Sequence, residues 1–232
     1  LDYYRLSIID MNASSTPLHA VRPISLPEQI YTQLRAAILS GELAAGQRIL
    51  EMDIANRTGA SQASVREALA RLESDGLVER RARSGTFVTQ VSEDEIRELF
   101  YIRAQVEAFA IRRLVRQLTP QQYQALTDLV QQMYIAAQAG DMLTLGELDM
   151  AFHRLIVSAS GSGALLRAWA PLYSPIQRYV TQHHPHFFPD LGEVARLHEP
   201  ILAVLQTGDE HQAAAVIQQH ILLTVAEVKS GA

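Results

Sequence analysis

Gly59-Ala-Ser-Gln-Ala-Ser-Val-Arg-Glu-Ala-Leu69 is the stretch on which the fold turns. Gly59 breaks the chain and Ser61 is placed to cap the helix that follows. Val65, Leu69 and Leu72 then recur at the spacing of one buried helical face, through Ser74 and up to a stop at Gly76. Upstream, Ser25-x-x-Glu28 has the form of a capping box and opens a helix with Ile30, Leu34 and Ile38 in register, ended by Ser40-Gly41. A loop with Gly46 leads to a short helix at about 50–57. Downstream, Leu77-Val-Glu-Arg80 and Thr86-Phe-Val-Thr89 read as short strands around Arg81-Ala-Arg-Ser-Gly85. Three helices, the last two joined by a tight glycine turn, followed by a hairpin match a winged helix-turn-helix.

From Ser92-x-x-Glu95, another capping box, only helices are expected: about 93–117, 120–138, 142–159, 164–182, 191–206 and 210–228. Thr119-Pro120-Gln-Gln122 supplies a cap and a proline at the first helical position. His183-His-Pro-His-Phe-Phe-Pro189, with two prolines, reads as a loop, either solvated or covering a pocket. The fold class is therefore mainly α. A mobile arm at 1–24, with Met11 as an internal start, precedes a winged helix-turn-helix at 25–91 and an all-helical bundle of about six helices at 92–232.

Composition narrows the chemistry. The chain has 232 residues, 48% apolar and 19% charged, which suits a folded globular protein. No apolar run approaches the roughly 18–20 residues of a membrane-spanning helix. The absence of cysteine excludes disulfides, thiolate metal sites and thiol nucleophiles, and leaves the cytoplasm as the expected compartment. Any metal must be held by His, Asp or Glu. Residues 22–92 carry nine Arg against eight acidic residues, whereas 93–232 carry ten basic against fifteen acidic residues. Nucleic acid would thus be bound through a local patch of the first module.

Within that module, Ser61 opens a helix whose free N–H groups suit a phosphate oxygen. Gln62, Ser64, Arg66 and Arg71 are left to face a partner. Gln matches an adenine edge and Arg a guanine edge in the major groove. Arg80, Arg81 and Arg83 concentrate charge on the hairpin, next to Gly85. Residues 38–43, Gly46, 59–69, Leu72-Glu-x-x-Gly-Leu-Val78 and Gly85-Thr-Phe-Val88, in this order and spacing, closely resemble the GntR superfamily of bacterial transcription regulators. The resemblance implies that Arg66 is the recognition-helix arginine and Gly85 the wing-tip glycine. Gln62 and Met52 stand where the family commonly has DNA-contacting arginines, which implies a different preferred operator.

A second constellation lies in the bundle. Asp149 and His153 are four apart on one expected helix and share a face. His198 is ten residues before Gly208 and His220 twelve after it, so an antiparallel helical hairpin sets them at similar heights. One Asp and three His suit Zn, Ni, Fe or Mn. Spacing alone also allows hydrogen-bonded core histidines. Residues 93–228 resemble the FadR-like branch of the superfamily, through Ile102-Arg-Ala-Gln-Val-Glu107, Asp149-Met-Ala-Phe-His-Arg-Leu155, Ala159-Ser-Gly161 and His198-Glu-x-Ile201. The C-terminal domain of that branch is called FCD. The resemblance implies a divalent metal on Asp149, His153, His198 and His220, a small organic-acid effector beside it, and Arg103 as an effector contact, with Arg178 as a weaker one.

The expected function is that of a metabolite-responsive transcription regulator, a repressor acting as a homodimer on operator DNA, with no membrane partner and no catalytic residue. The alternative is a metal-dependent hydrolase built on the Asp/His cluster. It is disfavoured because the chain lacks a His-Glu-x-x-His motif and an adjacent His-Asp pair, and Pro200 follows His198-Glu199.

Overall fold

The computed structural model describes residues 24–228, with side chains through Thr224; the expected arm at 1–24 lies outside the described residues apart from Ile24. In the N-terminal module, α1 (Leu26–Ser40), α2 (Glu51–Thr58) and α3 (Gln62–Ser74) pack beside a small antiparallel sheet. Ser25 and Ser61 cap α1 and α3 through their side-chain oxygens. Gly59 turns α2 into α3 at φ +67°, a conformation that strains any residue with a Cβ. The sheet has three strands in the order β1 (Arg48–Ile49), β3 (Gly85–Val88), β2 (Val78–Arg81). β1 lies outside the expected hairpin. Two residues are too short to reveal alternation, and the strand forms because β3 offers its second edge, with Arg48 opposite Phe87. Ile30, Ile38, Val65, Leu69, Leu72, Leu77 and Val88 form the buried core here.

The bundle comprises α4 (Glu93–Val115), α5 (Pro120–Gln138), α6 (Met142–Ala159), α7 (Gly163–Trp169), α8 (Tyr173–Phe187), α9 (Gly192–Arg196), α10 (Glu199–Thr207) and α11 (Glu210–Val228). That is eight helices among the described residues, where about six are expected. Two prolines explain the difference. Pro171 sits in a 3-10 turn, Ala170–Leu172, and divides the expected helix at 164–182 into α7 and α8. Pro200 occupies the first turn of α10, where a missing N–H is harmless, so the expected helix at 191–206 restarts after Leu197-His198.

The expected loop at 183–189 is mostly helix. α8 continues through Pro185 to Phe187, losing one ladder bond near its end, and His184 and Phe188 are buried rather than solvated. The periodicity misleads because two prolines within five residues dominate the local signal.

The two modules meet through α8 and α6. Arg35 of α1 donates to Glu147 on α6 at 2.5 Å and to Gln177 on α8 at 2.8 Å. Gln182 donates to the Ile38 carbonyl at 3.1 Å, and Arg178 to the Thr89 carbonyl at 2.5 Å. Leu143 of α6 reaches the core of the N-terminal module.

The crossing of α6 and α8 is close. A Cβ added at Gly146 would lie 2.6 Å from the Thr181 hydroxyl. Helix propensity alone favours Ala over Gly by about 1 kcal/mol. Crowding a packed core costs about 1–3 kcal/mol. Since the obstructing atom sits on a short, β-branched side chain, the clash outweighs the propensity gain. Gly146→Ala is therefore expected to destabilise the protein by about 1 kcal/mol or more in chemical unfolding; a gain in stability would mean that α6 and α8 are less tightly apposed.

Candidate functional site

Asp149 and His153 project from consecutive turns of α6, His198 from the break ahead of α10, and His220 from α11. One ligand atom from each of the four lies within 4.8 Å of all the others. Asp149, His153 and His198 are buried, and His220 is partly so.

The hydrogen bonds fix the state of the rings. His198 Nδ1 lies 2.8 Å from the Val194 carbonyl and His220 Nδ1 lies 3.1 Å from the Leu197 carbonyl. A carbonyl oxygen only accepts, so both Nδ1 atoms carry the proton. His153 Nδ1 faces Glu107 Oε2 at 2.5 Å and likewise donates. All three Nε2 atoms therefore present lone pairs inward. His153 Nε2 and His220 Nε2 are 3.2 Å apart, and His198 Nε2 is 3.3 Å from Asp149 Oδ1. His198 Nε2 has no hydrogen-bond partner among the described residues. Burial holds the His153 and His220 rings below the usual imidazole range, which keeps them neutral. A carboxylate and three imidazole lone pairs converging on one point form a donor set for a divalent cation.

Glu107, beneath the site, is fully buried. It accepts from His153, from Arg103 Nε at 2.8 Å and from Trp169 Nε1 at 2.8 Å. Burial works to raise its pKa, but His153 and Arg103 outweigh that and hold it at about 2. The second arm of Arg103, Nη2, is 4.0 Å from Asp149 Oδ2 and has no hydrogen-bond partner among the described residues. Arg103, Asp149, His184, His198 and His220 line a cleft with Val180, Phe188 and Thr224. The cleft is narrow: the centre of a water-sized sphere has about 20 Å³ in which to move, room for one ion or water.

On the opposite module, Arg66 stands exposed on α3 and donates to Glu51 at 2.8 Å. The Gln62 amide touches Met52 Sδ, so the two departures from the family pattern are neighbours across α2 and α3. Arg71 pairs with Glu28 and lies over the Tyr31 ring, against α1. Arg81 stacks over Phe87 and Arg80 approaches Glu73, while Arg83 sits at the wing tip with φ +62°.

Comparison with known proteins agrees with this geometry. Residues 26–88 match the family described as "Bacterial regulatory proteins, gntR family", and residues 98–223 match the FCD domain. A protein of Paenarthrobacter nicotinovorans named "Probable D-xylose utilization operon transcriptional repressor" is 31% identical over 79% of this chain and 80% of its own length. The transcriptional repressor RspR of Escherichia coli is 27% identical over 89% of each chain. The solved structure of McbR/YncC from E. coli, at 25% identity, covers 90% of this chain and 99% of its own, with a TM-score of 0.72. This chain belongs to the GntR family and carries an FCD domain.

GntR regulators of this type are DNA-binding transcription factors, not enzymes, and the hydrolase alternative finds no support among the relatives. The FCD domain brings Asp149, His153, His198 and His220 together, with Arg103 beside Asp149, but not Arg178. That guanidinium is turned away onto the Thr89 carbonyl between the modules, because α8 passes the N-terminal module before it reaches the cleft. Three residues of the site have no assigned role at the level of sequence. For Glu107 the available signal is an acid four positions after Arg103 on an otherwise apolar face. For Trp169 and His184 there is none, since they meet the site only through tertiary packing.

Removing Glu107 would leave the buried Arg103 with only Asp149, 4.0 Å away, as an ion partner, a loss of up to about 3–5 kcal/mol. The sign with pH follows from its depressed pKa. The stabilisation is complete above the ordinary value of 4.5 and is lost as pH falls towards 2. Urea unfolding at pH 5 and pH 3 is expected to show a shallower pH dependence for Glu107→Gln than for wild type; equal slopes would mean that Glu107 is not held ionised.

Proposed function

We propose that the chain is a repressor that binds operator DNA as a homodimer in the bacterial cytoplasm and responds to a small carboxylate held on one divalent ion in the FCD cleft. The observation that carries the reading is the inward convergence of three imidazole lone pairs and a carboxylate, with Arg103 Nη2 unpaired beside them. The ion would be Zn, Ni, Fe or Mn, held by Asp149, His153, His198 and His220. Bound there, it supplies a positive centre for an anionic ligand, and Arg103 supplies a second. Repression is supported by the names of the relatives from P. nicotinovorans and E. coli. The dimer is supported by exposed Tyr101, Ile102 and Phe109 along α4, an apolar stripe that a second copy would cover. No described helix is long and apolar enough to cross a membrane.

For DNA, the magnitudes favour Arg66 on a base. An exposed ion pair such as Arg66–Glu51 is worth about 0.2–1 kcal/mol. A bidentate contact to guanine is worth about 1–3 kcal/mol. Arg66 can thus leave Glu51 for the operator at a net gain. Ser61, Gln62 and Ser64, at the same helix start, would contact phosphate and neighbouring bases, and the wing arginines would contact the backbone. Arg66→Ala is expected to weaken operator binding by about 1–3 kcal/mol in a gel-shift titration. Unchanged affinity would remove Arg66 from the base contacts.

The metal has its own test. Elemental analysis of purified wild type should find about one divalent ion per chain, and His198→Ala should lose it. Saturation at ~100 times the dissociation constant adds roughly 2.7 kcal/mol to the folded state, so chelation should lower the melting temperature of wild type and leave His198→Ala unaffected. A metal-free wild type whose melting is insensitive to added Zn, Ni, Fe and Mn would make these histidines structural.

A further inference from the structure

We propose that Met52 is an oxidative modification site: a peroxide converts its thioether to the sulfoxide, which holds Gln62 on α2 and weakens operator binding. The inference rests on the reading of the start of α3 as the operator-facing surface and adds to it a control by oxidant.

Met52 stands in the first turn of α2 and is 53% exposed. The other described methionines are sheltered: Met133 and Met150 are fully buried and Met142 is half-buried against the bundle core. The chain has no cysteine, so no thiol competes with a thioether for the oxidant. What sets Met52 apart beyond its exposure is the group its sulfur touches. Arg66 donates from Nε to Glu51 at 2.8 Å and from Nη2 to Gln62 Oε1 at 3.4 Å. A guanidinium only donates, so it orients the amide with Oε1 towards Arg66 and Nε2 towards Met52 Sδ. Glu51, Arg66, Gln62 and Met52 thus form one run of contacts across α2 and α3 that ends on sulfur. A thioether is a weak acceptor, so this end is the loosest of the run, and Gln62 leaves it readily for a base.

The step is an oxygen-atom transfer. A sulfur lone pair attacks one oxygen of hydrogen peroxide, and the S–O bond forms as the O–O bond breaks. The departing hydroxide takes the remaining proton and leaves as water. Sulfur gives up two electrons and the peroxide gains them. A dithiol reverses the change: the sulfoxide oxygen leaves as water and the dithiol becomes a disulfide. The oxidised side chain is polar where the thioether was apolar. Its oxygen bears the negative end of the S–O dipole, within reach of the Gln62 amide, and accepts from it strongly. Gln62 is then held on α2 when the operator calls for it, and through Oε1 the hold extends to Arg66. A hydrogen bond that must break on binding lowers affinity by about fivefold. Desolvating the sulfoxide against DNA acts in the same direction.

The test uses the full chain and a duplex that its reduced form selects from a random library. Hydrogen peroxide is titrated in, peptide mass spectrometry follows each methionine, and gel shift reads the affinity. Met52 should be converted ahead of Met133, Met142 and Met150 with the melting temperature unchanged, and affinity for the duplex should fall about fivefold. Methionine sulfoxide reductase with a dithiol should restore it. Met52→Leu keeps the apolar bulk without the sulfur, and peroxide should move its affinity by less than about twofold. Gln62→Ala still carries the thioether but lacks the amide, and it should lose most of the response. Affinity that is unchanged or raised once Met52 is fully converted would overturn the proposal. So would a loss that persists in Met52→Leu, oxidation of the buried methionines first, or a response undiminished in Gln62→Ala. The reading beneath fails in a different way: if reduced Gln62→Ala and Arg66→Ala both bind the duplex as wild type does, α3 does not read the operator, and the proposal falls with it.

Discussion

His153, His198 and His220 each have the Nδ1 proton committed outward, and the surrounding FCD helices supply the acceptors. Two of the three acceptors are backbone carbonyls, Val194 and Leu197, at the end of α9. They face the site because the chain breaks there before α10 and carries His198 into the interior. The third acceptor is Glu107, which His153 and Arg103 hold ionised in a dry core and which also accepts from Trp169. α4, α6, α9, α11 and the tryptophan at the end of α7 are thus tied together through these Nδ1 hydrogen bonds and the partners of Glu107.

The amino-acid pattern made much of this legible, and the limits have physical causes. Caps at Ser25, Ser61, Ser92 and Thr119 are local events, written within four residues, and the structure has a capping bond at each. The four proposed metal ligands were likewise readable, because helical spacing and a hairpin fix their heights. Chain breaks were less so. Pro171 splits a helix, Pro185 does not, and Pro200 starts one. A proline's effect depends on whether its missing N–H falls in a first turn, a last turn or between. Arg178 misled for another reason: sequence says that it follows α7 and precedes the histidines, but not which side of α8 faces the other module.

The DNA-facing surface carries a similar lesson about proximity. Met52 and Gln62 are ten residues apart and belong to different helices, yet their side chains meet. At these two positions this chain sets a thioether against an amide. The two side chains form one neutral local patch where α2 meets α3.

The joint between the modules has a consequence of its own. Apart from Leu143, its described links are polar: Arg35 to Glu147 and Gln177, Gln182 to the Ile38 carbonyl, Arg178 to Thr89. Each such bond is worth about 0.5–1.5 kcal/mol net, because water replaces it when it opens. Together they amount to a few kcal/mol. Swinging a two-state equilibrium from one side almost wholly to the other takes about 5.5 kcal/mol of differential ligand affinity. The seam is therefore strong enough to define one arrangement of the modules and weak enough to be exchanged for another. Since Glu147 is half-exposed, it also loosens as ionic strength rises. An apolar seam of the same extent would have fused the two units into a single rigid body.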